Sequence, residues 1–343
     1  MKLIKSSFEI LEQESGIDNL YKQVEIAGRT CYKSNSSVIY FLNGKQIDSD
    51  FIVTTNDNKS ITIKEAINLN IKEVKDKDNN ILKLSKEDSA FKFVNRMIAS
   101  GHGAMLEHGT VYLTFFQNAS RNIDINCTKF SRYLLEDYFE NKFSKINCKS
   151  TVEGTYYYVT TNLRVLVENG WLEDLKYLCE PTKYHEKRVT VKFICDRGVS
   201  HEFVRHRVFS FAQESTRYCN YSKDKFGNEL TYIIPSWYDD IKLQNHINNS
   251  NNSDEEEIEE QNFNQILCSC ERQYFKLLNQ GLKPQQARQV LPNALKTELI
   301  MTGFVSDWEG FFKLRDNSNA HPDAYALANP LHKEFLKRKY IKE

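Results

Sequence analysis

The chain has 343 residues and sets 46 Lys plus Arg against 46 Asp plus Glu, so no overall charge draws it to a polyanion or a membrane surface. That length allows a substantial core, and the longest apolar runs, such as Phe193 to Cys195, are far too short to span a bilayer. Eight cysteines without a CxxC pair, and an opening MKLIKSSFEILEQE that takes on charge too early for a secretory signal, point to a reduced, cytoplasmic protein with no membrane partner.

In chain order, residues 1–34 read as a strand and then a helix from about Asp18, with Leu20, Val24 and Ala27 at helical spacing. Residues 35–88 are rich in Asn, Asp, Lys and Ile. They alternate at Ser60-Ile61-Thr62-Ile63, carry the turn signal DKDNN, and read as a β-rich insertion in a single domain spanning 1–343. An amphipathic helix with Phe91, Val94, Met97 and Ile98 should end at Gly101, followed by a strand with Val111, Leu113 and Phe115 alternating. Residues 130–180 read as mainly helical. RVTVKFIC alternates at Val189, Val191, Phe193 and Cys195 as a half-buried strand. Asp196 should cap a helix that carries Val199, Phe203 and Val204 and delivers the triplet Arg205-His206-Arg207 at its far end. LTYIIP is a further strand, and 248–262 is an acidic low-complexity loop before a long helix.

The densest chemistry lies in RHRVFSFAQESTRY, residues 205–218. Arg205, His206 and Arg207 repel one another unless an anion or an electron-rich ring sits among them. Arginine forks match phosphate oxygens in pairs, and Arg217, Arg288 and Arg315 could join them around a nucleotide. Tyr218, Tyr221 and Phe209 could instead stack bases, but neutral charge and the lack of a basic stripe argue against a nucleic-acid partner. Ser215 has no GxSxG elbow, and no cysteine, Cys219 included, stands in an activating context. His102 and His108 flank Glu107 at a spacing unlike the helical pair of a zinc protease, so no metal is expected. GxGxxG and GxxxxGK[ST] loops are absent.

RHR followed by seven residues and Ser215-Thr216-Arg217-Tyr218 resembles the signature of the flavin-dependent thymidylate synthases. AGRTCYKS, SGHGAMLEHGTVYLTF and ARQVLP…FFKLRDNSNAHPDA agree with that family in order, over about residues 1–34 and 89–335. The resemblance implies an α/β (α+β) fold with a mixed sheet flanked by long helices, in a homotetramer whose FAD sites are shared between subunits. It implies reductive methylation of dUMP to dTMP, with methylene-tetrahydrofolate as carbon donor and NADPH as reductant. Flavin-dependent hydroxymethylation of dUMP, or a non-catalytic nucleotide- or RNA-binding relative, are the alternatives.

By position, the resemblance gives dUMP to Glu202, Arg205, Glu214, Ser215, Thr216, Arg217, Arg288 and Arg315, with Arg315 catalytic through the ionised uracil. It gives FAD to His102, Ala104, Glu107, Arg205, His206, Arg207, Gln213, Ser306 and Gly310. The chain departs from the family pattern at several of these places. Ala212-Gln213 stands where Asn-Glu is common, Phe304-Val305-Ser306 where Asn-x-Arg is frequent, Gly310 where Asn is frequent, and Ala104 where a hydroxyl is usual; Glu202 stands in place of a glutamine.

Overall fold

The computed structural model describes residues 1–34, 38–48, 51–55, 57, 59–69, 71–75, 80–119, 133–238 and 255–342. Strands β1 (Lys2–Ile4) and β2 (Ser7–Leu11) lead into the helix Ile17–Tyr32, whose Leu20, Val24 and Ala27 are buried. The helix closes on Lys33 in the left-handed region, φ 48°, with its N–H donating to the Arg29 carbonyl. Gly28 lets the helix Ser89–Ala99 approach closely, since a Cβ there would lie 2.3 Å from the Phe93 ring.

Residues 38–88 build β3 (Val38–Leu42), β4 (Lys45–Ile47), β5 (Ile52–Thr54), β6 (Ser60–Thr62), the helix Ile63–Asn68, β7 (Glu73–Lys75) and β8 (Ile81–Asp88). The strands form one six-stranded sheet, ordered β4-β3-β8-β7-β5-β6. Tyr40, Val53, Ile63, Ala66, Val74 and Leu84 give it a core of its own. The alternation expected over 60–63 stops early, because Thr62 caps the helix through the Glu65 N–H and makes Ile63 its first residue. Most of the DKDNN turn lies outside the described residues.

A 3₁₀ turn, Gly103–His108, precedes β9 (Thr110–Asn118). The mainly helical expectation for 130–180 is corrected here. After the helix Tyr133–Glu140, strands β10 (Lys145–Ser150) and β11 (Gly154–Asn162) form an antiparallel hairpin that pairs with β9. Consecutive Tyr156, Tyr157 and Tyr158 followed by Val159 suit a pleated surface better than a helix, where aromatic and β-branched side chains crowd the preceding turn. Only Leu163–Asn169 and the 3₁₀ turn Leu172–Tyr177 are helical in the remainder.

The site-bearing part comprises β12 (Arg188–Asp196), the helix Arg197–Phe203, β13 (Ser210–Gln213), β14 (Thr231–Ile233), the helices Glu255–Asn279 and Pro284–Ala287, β15 (Lys296–Phe304), and the helices Val305–Arg315 and Pro322–Lys337. The long helix already begins at Glu255, so the acidic stretch read as a loop over 248–262 is helical in its second half. Its earlier residues lie outside the described ones. β14 pairs with β1 in parallel, and β13-β15-β12-β2 form an antiparallel sheet.

Alternation decides what each face of that sheet does. Val191, Phe193, Leu299 and Met301 pack on Trp308, Phe311, Leu327 and Phe335. Ala212 and Ile300 turn to the opposite core, with Leu20 and Val24 of the first helix. Further along this second face the apolar cover ends, and Lys192, Lys296 and Glu298 take over. No helix among the described residues is long and apolar enough to cross a membrane.

Candidate functional site

Two helix ends meet at Arg315. Asp196 caps the helix Arg197–Phe203 by accepting from the Val199 N–H at 2.9 Å, which fixes where the helix starts; Glu202 lies in its last turn and the RHR triplet follows its end. Arg315 closes the helix Val305–Arg315. Its Nη2 donates to the Glu202 carbonyl at 3.0 Å, its Nη1 to the Glu202 carboxylate, and its Nε to His206 Nε2 at 3.0 Å. An arginine thus adds a side-chain donor at the carbonyl end of the neighbouring helix, where the Glu202 carbonyl also accepts from the Arg205 N–H. Because Nε2 accepts, the neutral His206 ring carries its proton on Nδ1. Burial and the Arg315 charge push the His206 pKa down to about 4. The triplet is therefore not three adjacent cations: Arg205 and Arg207 are exposed on either side of a half-buried, neutral ring that packs on Phe311. Glu202, Arg205, Arg315 and His321 line a cavity of about 510 Å³.

A second group forms at the end of β13. The Ser215 N–H donates to the Cys31 carbonyl at 3.0 Å, and Ser215 Oγ accepts from the Arg217 N–H at 3.3 Å. Arg288 Nη1 reaches Thr216 Oγ1 at 3.3 Å. Ser215, Thr216, Arg217 and Arg288 thus converge as hydroxyls, a backbone turn and two exposed guanidiniums. Among the described residues no hydrogen bond or ion pair links this group to Arg315 or its partners.

The other expected residues stand apart from both groups. Gln213 donates to Ser200 Oγ at 2.8 Å and Thr297 Oγ1 at 3.3 Å. Glu107 accepts from Arg164, and its backbone carbonyl from the buried Arg188 at 3.1 Å, which ties the turn holding His102 and Ala104 to β12. Ser306 accepts from Lys145 at the start of the helix that Arg315 ends. Nine residues at 1.5 Å each put the two about 13 Å apart along its axis. Gly310 is exposed between them, with open space where a Cβ would be.

Glu214 leads to residues that motif reading missed. Its side chain turns away from the Gln213 side of the strand and accepts from Tyr221 Oη at 3.0 Å and Lys296 Nζ at 2.8 Å. Lys296 also reaches Glu298 at 2.9 Å, Lys192 reaches the other Glu298 oxygen at 3.0 Å, and Lys33 pairs with Glu298 as well. Burial works to raise the Glu298 pKa, but Lys296 and Lys33 outweigh it and hold the carboxyl at about 2. The network faces a cavity of about 960 Å³. A signal was available: charged residues inside RVTVKFIC and KTELIM interrupt otherwise apolar, half-buried strands.

Burial raises the thiol pKa of Cys31, Cys179, Cys195, Cys219 and Cys270, that of Cys219 to about 11, so these sulfurs stay protonated at neutral pH. Among the described residues no cluster of three or more His, Cys, Asp or Glu could hold a metal ion.

Residues 185–338 match the family model described as thymidylate synthase complementing protein. The flavin-dependent thymidylate synthase of Pyrococcus furiosus is 30% identical over 148 residues, 43% of this chain and 54% of the relative. Those of Geobacter sulfurreducens and Mycobacterium tuberculosis are 30% and 29% identical over 132 and 136 residues, each match covering 38% of this chain and 49% and 50% of the relatives. The chain thus spans about half the length of the curated relatives it matches. Among solved structures, a UMP/dUMP methylase, PolB, from Streptomyces cacaoi bound with 5-Br dUMP is 20% identical over 44% of this chain and 66% of its own, with a TM-score of 0.34. Likeness at that level bears on neither fold nor chemistry. The blocks AGRTCYKS and SGHGAMLEHGTVYLTF lie outside the family match.

Proposed function

We propose that this chain, a relative of the flavin-dependent thymidylate synthases through residues 185–338, methylates dUMP to dTMP with FAD as cofactor, methylene-tetrahydrofolate as carbon donor and NADPH as reductant. The observation that carries the reading is Arg315, held by three hydrogen bonds at the wall of the cavity that Arg205 also lines.

A guanidinium offers five N–H donors, so two remain for a ligand after His206 and Glu202 are served. Arginine stays protonated throughout the accessible pH range, and a fixed cation stabilises negative charge on a uracil ring, which makes its C5 more nucleophilic. Ser215, Thr216, Arg217 and Arg288 suit the nucleotide phosphate: hydroxyls and a backbone turn give direction, and the guanidiniums give charge. Glu202 holds Arg315 in register, and the place of Glu214 beside the same turn keeps it within the nucleotide assignment.

The flavin assignment fits the side chains around the triplet. Arg205 and Arg207 are exposed and make no ion pair among the described residues, so their charge is available to an anionic cofactor, and neutral His206 presents a donor on Nδ1. His102, Ala104, Glu107, Gln213, Ser306 and Gly310 complete the proposed flavin contacts. When bound, the flavin supplies the hydride. The raised cysteine thiols accord with a reaction that needs no thiolate. The proposed assembly, by resemblance to the family, is a homotetramer in which sites are completed by more than one copy.

The test is product mass. Purified protein given dUMP, methylene-tetrahydrofolate, NADPH and FAD should yield dTMP. A product heavier by one oxygen atom would mean hydroxymethylation, and no product from flavin-loaded protein would sink the enzymatic reading.

A further inference from the structure

Apart from Glu214 itself, the residues lining the cavity behind Glu214 have none of the roles assigned above. The cavity is floored by five charged groups on one sheet face and the end of the first helix: Lys33, Lys192 and Lys296 against Glu214 and Glu298. All three ammonium groups converge on the single Glu298 carboxylate, and Lys296 alone also binds Glu214 closely.

Three cations against two carboxylates leave one positive charge unmatched. Each lysine is already paired with Glu298, but the ammonium of the partly open Lys192 keeps donors that this one carboxylate does not use. Lys192 is the surplus member. It spends one of its three donors on Glu298; Glu9, opposite it in the β2–β12 register, makes no ion pair with it among the described residues, and about a quarter of its side chain remains open, at 26% exposure. The rim adds to the excess: Glu25 is already paired with Arg29, and Lys2 and Lys225 outnumber Glu229.

The chain also accepts local strain to complete this floor. Lys33 occupies the left-handed position after the helix, φ 48°, where glycine or asparagine is the usual occupant, and its side chain enters the network. Tyr221 and Phe226 give the cavity aromatic walls, with the Tyr221 hydroxyl spent on Glu214.

We propose that this cavity is a second ligand site, distinct from the Arg315 cavity, which takes a small organic or inorganic polyanion whose carboxylate or phosphate oxygens bind the free donors of Lys192 and Lys33. The site does not depend on the nucleotide chemistry proposed above.

The experiment measures binding of pyrophosphate and of citrate by calorimetry, in an Arg217→Ala/Arg288→Ala background so that both guanidiniums of the Ser215 group are gone. Saturable binding of either probe is expected, and whichever binds more tightly identifies phosphate or carboxylate as the preferred head group. Lys192→Met balances the network at two against two. It should keep its melting temperature without anion while its affinity for the probe falls at least about ten-fold, the loss of one charge-assisted contact. Glu298→Gln increases the surplus and should bind the same probe about ten-fold more tightly. The proposal is overturned if neither probe binds, if Lys192→Met binds as tightly as its parent, or if Lys192→Met melts well below its parent without anion, which would make Lys192 a structural partner. Should Lys192→Met fail to fold, Glu298→Gln decides: weaker or unchanged affinity sinks the site.

Discussion

The two cavities solve opposite electrostatic problems. At Arg315, one guanidinium is fixed by a helix-end carbonyl, one carboxylate and one neutral imidazole, so its direction is determined before any ligand arrives. Behind Glu214, three flexible ammonium groups crowd a carboxylate held at about pKa 2, so position is shared and charge is what accumulates. A planar fork in a fixed frame suits a reaction whose charge develops at one place, while clustered point charges suit retention of an anion in several poses. Both cavities hold clustered cations, and what separates them is the geometry of the acceptors around each cation.

The largest effect is expected from Arg315→Lys. Lysine keeps the charge but cannot reach His206 and both Glu202 acceptors together. Loss of one oriented donor to a developing anion lowers turnover by about 10²- to 10³-fold. The dUMP KM should move only a few-fold, and reduction of the flavin by NADPH should be nearly normal, the pattern of an interaction made chiefly in the transition state. Wild-type dTMP formation at saturating substrates would make Arg315 structural and leave the comparison without its first member.

The Arg315 side of the comparison was legible because its parts are contiguous in sequence or sit at helix ends. Asp196 announces the helix start, RHR follows its end, and FFKLR ends an apolar helix. The lysine cavity was legible only in part: the charges inside RVTVKFIC and KTELIM stand out, but their meeting with Lys33 from a third segment depends on the fold, as with Lys192, which pairs with Ile300, two residues from Glu298 on the same face. The β10–β11 hairpin was missed for a related reason. Its exposed strand KINCKS lacks a one-sided apolar pattern, and pairing with β9 supplies what the local sequence does not. The neutral state of His206 was likewise hidden, because it depends on burial and then on Arg315, 109 residues away.

Arg217→Ala tests the phosphate side of the nucleotide. Arg217 is exposed and stacks over Tyr218 at 5.2 Å, with its guanidinium free to turn towards a nucleotide. Removing a charge-assisted contact should weaken dUMP binding by about ten- to a hundred-fold. Flavin content should not change, because Arg205, His206 and Arg207 are untouched. Unaltered dUMP affinity in a folded, flavin-loaded variant would detach the Ser215 group from the nucleotide.

The smallest effect is expected from the largest change. Residues 35–88 carry their own core, and none of its buried residues belongs to the clusters that support either cavity. The segment joins the rest at Ser34 and Ser89. Ser89 Oγ donates to Glu25, and the first helix runs on to Tyr32, so the ends to be joined are separated by about two helical turns. A Gly-Ser bridge of about eight residues has a root-mean-square reach of roughly 16 Å, enough to cover that distance. Loop closure adds little free energy at such lengths, so the shortened chain should fold. The joint should fall after Ser34, since Lys33 must keep its left-handed backbone to reach Glu298. With that residue kept, flavin content, turnover of dUMP and polyanion affinity should all stay within about two-fold of the parent. A shortened protein that folds and forms dTMP but loses polyanion binding would show that the segment closes the lysine cavity. One that loses flavin instead would tie the segment to the Arg315 side.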